Sequence, residues 1–221
     1  MVNNNGGRNR PGLLELVHGV LFSPASVFRA VAETPPLKEA ALIFFLLAFG
    51  SSLAGSLLLR SNIAAVPGVE IPQVTRVVSG LLPVFLLVSL VFAAARLFLF
   101  AAVFHFLAEL LGGRGTPQGT LTVCALAGLP GIFLVPVELL LNLWKVAAAP
   151  AAAIGGLVGL GVLLWQVMLL VIGLREVHRF TTGTAAVAVV LPLAVLIGLF
   201  VALLIGMIAS LGMLLPSLSS R

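Results

Sequence analysis

"WQVMLLVIGLREVHRFTTGTAAVAVVLP", residues 165–192, decides how this chain is read. Arg175, Glu176, His178 and Arg179 fall within five residues of one another in a sequence where charge is rare. Arg, Glu and His together are the composition of a catalytic cluster. They are equally the composition of a wet turn between two membrane helices. Spacing separates the two. Two positions apart on a helix, Glu176 and His178 point about 160° from each other and do not converge. Long apolar runs flank the cluster on both sides. The turn reading follows, with arginine favourable near a helix C-terminus and Thr181 or Thr182 placed to cap the next helix. This end is expected to pack beside "ELLGGRGT", residues 109–116, on the same membrane side.

Composition supports that frame. The 221 residues are 61% hydrophobic and 9% charged, and the mean hydropathy is +1.23. A soluble domain is roughly 25% charged. Several apolar runs exceed the ~18–20 residues that cross a bilayer. The length suits one compact membrane domain. The net charge of +5 comes from only 12 Lys and Arg, scattered without a basic stripe, so nucleic acid is not an expected partner. The single cysteine, Cys124, lies in an apolar run and reads as a small hydrophobe. A cleaved secretory signal fits poorly, because Glu15 and His18 interrupt its apolar part and Arg29 precedes the "AVA" cleavage site at 30–32.

Along the chain, residues 1–12 are polar and Gly/Asn-rich, which predicts a disordered tail. Residues 13–36 hold two short amphipathic pieces, the second starting with Ser23 as N-cap and Pro24 at the first helical position. Neither spans a membrane. They read as interfacial helices, and packing on the bundle is an equally open arrangement compatible with that position. Residues 37–221 form the membrane domain. Its spans are expected at about 37–59, 80–111, 118–143, 152–174 and 184–215, with 60–76 as a loop carrying Pro67 and Pro72. The second segment would measure about 48 Å at 1.5 Å per residue, well over a ~30 Å core. It either tilts and protrudes or is divided at Pro83. The third contains Pro130–Gly131 and Pro136 and is expected to be kinked or locally unwound. The fifth is bent at Pro192. The predicted class is all-α: a polytopic membrane protein with five transmembrane helices preceded by short amphipathic interfacial helices.

Five spans put the termini on opposite sides. Arg8, Arg10, Arg29, Lys38, Arg114, Arg175 and Arg179 collect on one side, and Arg60, Arg76, Lys145 and Arg221 on the other. Positive charge favours the cytoplasm. The N-terminus is therefore expected inside and the C-terminus outside, in a bacterial cytoplasmic membrane. The composition, rich in Ala, Gly, Leu, Val and Pro without Asp or Tyr, fits a GC-rich prokaryotic source.

Three stretches carry a family resemblance. "FSPASVFRAVAETPPLKEAALIFFLLA" at 22–48 resembles the Pro-x-x-x-Phe-Arg opening of Ypt-interacting protein (Yip) family domains. "FHFLAELLGGRGTPQGTLTVCALAGLPGIF" at 104–133 resembles the family's central His…Leu-Gly-Gly-x-Gly-Thr segment and its Ala-rich helix ending in Pro. The opening stretch, 165–192, resembles its Trp…Gly-Leu…His…Ala segment and last helix. The three occur in the family's order and cover about 13–215. The resemblance implies five membrane helices and a cytoplasmic N-terminus. In eukaryotic members it implies association with small Rab-type GTPases and early secretory traffic. This chain lacks their long N-terminal region and is more similar to bacterial members.

Ionisable groups inside a bilayer are costly and are candidates by default. His105 and Glu109 share one face of the second span, near its predicted cytoplasmic end. With Arg114, Arg175, Glu176, His178 and Arg179 they form a candidate polar cytoplasmic-face cluster. Two uses are open: an interfacial pair that ties helix ends together, or a proton or ion relay. Arg96 lies deeper and about 180° round the helix from His105. It either snorkels or pairs with Glu138 on the third span. Gln166 is expected as interhelical glue. Gly155 and Gly159, and Ala194, Gly198, Ala202, Gly206 and Ser210, recur every four residues. Such spacing allows close helix approach, and intramolecular packing is preferred over self-association.

No GxSxG, HExxH, CxxC or Walker loop is present. Three isolated His and one Cys lack metal-ligand spacing, so no catalytic residue, cofactor or metal is expected. The leading expectation is a non-enzymatic scaffold or organiser of membrane proteins or membrane shape. Its partners would be the lipid bilayer and other membrane proteins or itself. The competing expectation is a small transporter or channel using Arg96, His105, Glu109 or the break at Pro130.

Overall fold

A computed structural model describes residues 12–64 and 71–219. Of the expected tail, 1–11 lie outside the described residues, as do Pro67 and the chain end. Among the described residues every regular element is a helix. Two short helices, α1 (Leu13–Phe22) and α2 (Pro24–Glu33), precede α3 (Leu37–Ala64) and α4 (Ile71–Leu110). The third span is built from α5 (Pro117–Ala127), a 3₁₀ turn over Leu129–Phe133, and α6 (Leu134–Leu143). The last two are α7 (Ala148–His178) and α8 (Thr182–Ser219). Five of these segments are long and apolar enough to cross a membrane.

Several expectations are corrected. The 60–76 loop is mostly helix, because α3 continues to Ala64 and α4 begins at Ile71. Pro72 falls in the first turn, where its missing N–H removes no helical bond. Pro83 does not divide the second segment: α4 runs through it for 40 residues, so the excess length protrudes or tilts. The bend expected at Pro192 does not interrupt α8, which runs through that residue for 38 residues in all.

The third span breaks where its prolines fall. Pro130 and Pro136 withdraw two backbone donors, and the chain tightens so that Gly131 N–H bonds the Gly128 carbonyl at 2.9 Å, an i→i−3 pattern. Gln166 Nε2 adds a second donor to the same carbonyl at 3.4 Å. The expected glue role thus has a named target.

The buried core is concentrated at one end of the bundle. It contains Leu16 and Val20 of α1, Phe28 and Val31 of α2, and Ala40 and Ile43 of α3. Val123, Leu126 and Leu129 of the third span and Leu169 and Val177 of α7 complete it. Phe104, Leu174, Ala188 and Val189 form an adjoining cluster from α4, α7 and α8. This is the end where α3 and α5 begin, α4 and α7 finish, and α8 starts. It is called the N-terminal end below. α1 and α2 do pack on the bundle, which is compatible with an interfacial position: Phe28 and Val20 are wholly buried, and α2 packs along α7 and α5. Ser23 sits at the N-cap of α2 as expected, with Pro24 after it, but its side chain makes no capping bond. Its carbonyl instead accepts from Ser26 Oγ at 2.8 Å.

Away from this end the helices turn large apolar side chains outward, among them Phe92, Phe98, Leu157 and Leu203. That is the composition lipid requires. Here the small-residue stripe is also corrected. A Cβ built on Gly155, Gly159, Gly198 or Gly206 would meet nothing within 4 Å, and Ala194 and Ala202 are exposed. Among the described residues, Gly155, Gly159 and Gly198 make no close helix approach at the Cβ position. The side chain of Ser210 lies outside the described residues. The glycines that permit close approach are elsewhere. A Cβ on Gly173 would collide with the Val123 side chain, and one on Gly119 would lie 2.9 Å from Val177 Cγ1. Both tie α5 to α7.

Candidate functional site

The N-terminal end is organised around His178, the last residue of α7 and only 1% exposed. Two helix ends enclose it. α4 terminates in a Schellman motif: Gly113 N–H bonds the Ala108 carbonyl at 2.8 Å and Gly112 N–H the Glu109 carbonyl at 2.9 Å. Gly112 takes φ +82°, which glycine adopts at no steric cost. α7 ends similarly, with Phe180 N–H on the Arg175 carbonyl at 2.9 Å. Here Arg179 occupies the left-handed position at φ 58°, an uncommon place for a long side chain. The two ends interlock, since Arg114 N–H bonds the His178 carbonyl at 3.3 Å.

Side chains then complete a network. Gly115 N–H donates to His178 Nδ1 at 3.2 Å. An amide only donates, so Nδ1 carries its lone pair and the ring proton sits on Nε2. Nε2 lies 2.8 Å from Thr120 Oγ1 and donates to it. The Thr120 hydroxyl has two acceptors in reach, the Thr116 carbonyl at 3.2 Å and His105 Nδ1 at 3.3 Å. His105 Nε2 in turn lies 3.4 Å from Glu109 Oε1. One chain of hydrogen bonds therefore joins α7, α5 and α4. Phe180 stacks on His178 with ring centroids 5.5 Å apart. A Cβ at Gly113 would be 2.7 Å from both rings, and one at Gly115 2.8 Å from His178. The glycines of "GGRG" make room for the imidazole.

Glu176 belongs to a second group on the other side of α7. It accepts from Arg175 on its own helix and from Arg29 Nε of α2 at 3.4 Å. Arg175 reaches the Thr182 hydroxyl of α8 at 3.4 Å. Thr181 caps α8, its Oγ1 accepting from Thr184 N–H at 3.2 Å. Arg114 and Arg179 line a small pocket of about 310 Å³ with Glu33 and the start of α5.

The seven candidate residues thus lie at one end but in separate groupings. His105, Glu109 and His178 share a network, Arg175 pairs with Glu176, which also binds Arg29 of α2, and Arg114 and Arg179 are exposed beside a small pocket. Sequence reasoning missed Thr120 and Phe180. The "GTPQGT" run contained a signal: Thr116 caps α5 by accepting from Gly119 N–H at 3.1 Å, and Thr120 follows one turn later on the same face.

Arg96 and Glu138 lie away from this end. Both line a cavity of about 760 Å³ among α3, α4, the third span and α7, together with Gln166. The direct pair considered for them is not formed. No N···O separation between them falls within 4.0 Å, and the cavity keeps α4 and α6 apart. Among the described residues, no three of His, Cys, Asp and Glu gather to hold a metal ion.

The family model described as the Yip1 domain matches residues 18–205. No curated protein and no solved structure gives a significant match.

Proposed function

The chain belongs to the Yip1 domain family, and from that premise we propose that it is a non-enzymatic membrane scaffold. It organises membrane proteins, or membrane shape, through its N-terminal end. That end faces the cytoplasm of a bacterial cell, with the C-terminus outside. The observation that carries this reading is a built platform in an otherwise lipid-adapted molecule. α1 and α2 are fixed on α7 and α5 by wholly buried residues such as Phe28 and Val20, and Arg29, Arg114 and Arg179 are left exposed above them. A packed surface with exposed charged side chains suits docking, because little backbone freedom is lost on binding. The arginine excess agrees with the seven-to-four bias of Lys and Arg between the two sides. The hydrogen-bonded histidines act as fasteners of this platform.

The test is photo-crosslinking in native membranes from positions 114 and 179, with position 157 on the lipid-facing side as control. The expected result is a reproducible membrane-protein adduct from both positions, the one from 114 disappearing in Arg29→Gln and the one from 179 disappearing when Arg29 and Arg114 are both replaced by Gln. No adduct, together with unchanged membrane morphology and protein content on deletion, contradicts the scaffold.

The transporter reading retains one specific observation, the cavity holding Arg96 and Glu138 beside the 3₁₀ break. Its relay is not assembled there, because His105 and Glu109 do not line that cavity. Reconstituted vesicles are expected to show no proton or ion flux. Flux that is lost in Arg96→Gln would reinstate transport.

A further inference from the structure

The cavity among α3, α4, the third span and α7 has the volume of a ligand site. Its roughly 760 Å³ falls within the ~300–1,000 Å³ of small-molecule pockets. Its walls are mainly apolar, with Phe44, Phe92 and Phe100 prominent. Arg96 of α4, Glu138 of α6 and Gln166 of α7 are among its lining residues, and both charged residues are exposed. Arg96 and Glu138 are of opposite sign, line one space, and make no hydrogen bond or ion pair among the described residues. A charge inside a bilayer is retained where something compensates it. Here the compensation is not mutual.

The surroundings narrow what could supply it. Every lining residue belongs to one of four membrane spans, and none to the described connections between them. The occupant therefore arrives from the lipid phase and carries apolar chains for the aromatic wall. It also carries both charges. An anion alone would leave Glu138 uncompensated, and a cation alone would leave Arg96. The guanidinium fork matches a phosphate bidentately. A carboxylate prefers a cation with N–H groups to donate, which a primary ammonium has and a quaternary one lacks. We propose that this cavity binds a zwitterionic membrane amphiphile with a phosphate on Arg96 and a primary ammonium on Glu138, the headgroup chemistry of an aminophospholipid. The proposal is independent of the platform reading, since the cavity lies away from the platform's exposed arginines.

The test uses the full chain, purified in a non-ionic detergent and incubated with equal amounts of phosphatidylethanolamine, phosphatidylglycerol and phosphatidylcholine of matched acyl chains. Bound lipid is quantified by native mass spectrometry. The wild type is expected to retain phosphatidylethanolamine over either competitor by about tenfold, the scale of one charge-assisted contact. Arg96→Gln should lower that retention roughly tenfold. Glu138→Gln should transfer the preference to phosphatidylglycerol, because only the cation remains. Equal retention of the three lipids by wild type, or a wild-type preference for phosphatidylglycerol, overturns the proposal without any variant needing to fold. Folded variants, checked by their elution profile, whose selectivity matches wild type overturn it as well.

Discussion

The two ends of α7 obey different rules. Near Gly173 and His178 the helix is pressed against α5, with a glycine where a Cβ would strike Val123 and a histidine wholly enclosed. Around Gly155 and Gly159, about 21–35 Å away along the axis at 1.5 Å per residue, a Cβ would meet nothing within 4 Å. Both regions are glycine-bearing and apolar. One is a protein core, held by close packing and satisfied polar groups. The other is a surface for lipid, where association has no hydrophobic drive. Glycine identity alone does not say which, and substitutions should separate the two.

The largest effect is expected at Phe28, wholly buried between α2 and the bundle. Phe28→Ala should cost about 3–5 kcal/mol by lost burial and cavity formation, read as a large fall in Tm in detergent. Leu157→Ala, on the outward face at 72% exposure, should leave Tm nearly unchanged. Equal falls would mean that α1 and α2 are not part of the core. Next comes Gly173→Val, which overpacks against Val123 and should cost about 1–3 kcal/mol or more. Gly159→Ala should be neutral, or stabilising by up to about 1 kcal/mol from helix propensity. A stability loss at Gly159 matching that at Gly173 would show that the stripe is packed after all.

Thr120→Val keeps the shape but strands His178 Nε2–H in a buried site. A loss of about 1–3 kcal/mol is expected. Ser89→Ala removes the Ser89–Ser52 bond between α3 and α4 at 2.9 Å, and should cost nearer 0.6 kcal/mol, the mean for bonds between membrane helices. The smallest effect is at the rim. Arg29 is 69% exposed in its contact with Glu176, so Arg29→Gln should cost about 0–1 kcal/mol and respond to salt. Melting curves of these variants rank them directly. An Arg29 effect exceeding that of Thr120 would move the platform's stability from its network to its surface.

Much of this was legible in the sequence, for stated reasons. The five spans followed from run length, because the bilayer sets a minimum. The break in the third followed from Pro130 and Pro136, because proline removes donors wherever it falls. The meeting of 109–116 with the end of the fourth span followed from topology, since both turns lie on one side. What escaped depends on rotation about the helix axis. Periodicity places Gly155 and Gly159 on one face without saying whether that face meets a helix or lipid. Thr120 sits in an apolar span, and only the position of His178 makes its hydroxyl a hub. The extent of α3 and α4 beyond 60 and before 76 was hidden by Pro72, which reads as a breaker unless it falls in a first turn. That Arg96 and Glu138 share a cavity without touching depends on the spacing of α4 and α6, which no pattern in either helix encodes.

The central claim is that α1 and α2 are fixed parts of a platform, held by the bundle whether or not lipid is present. Hydrogen–deuterium exchange of the purified chain in detergent tests it most directly. The account predicts that amides of residues 16–33 exchange slowly, on the timescale of 120–127 and 169–178, with no change when vesicles are added. Exchange of 16–33 within seconds, with protection appearing only on lipid, would contradict it.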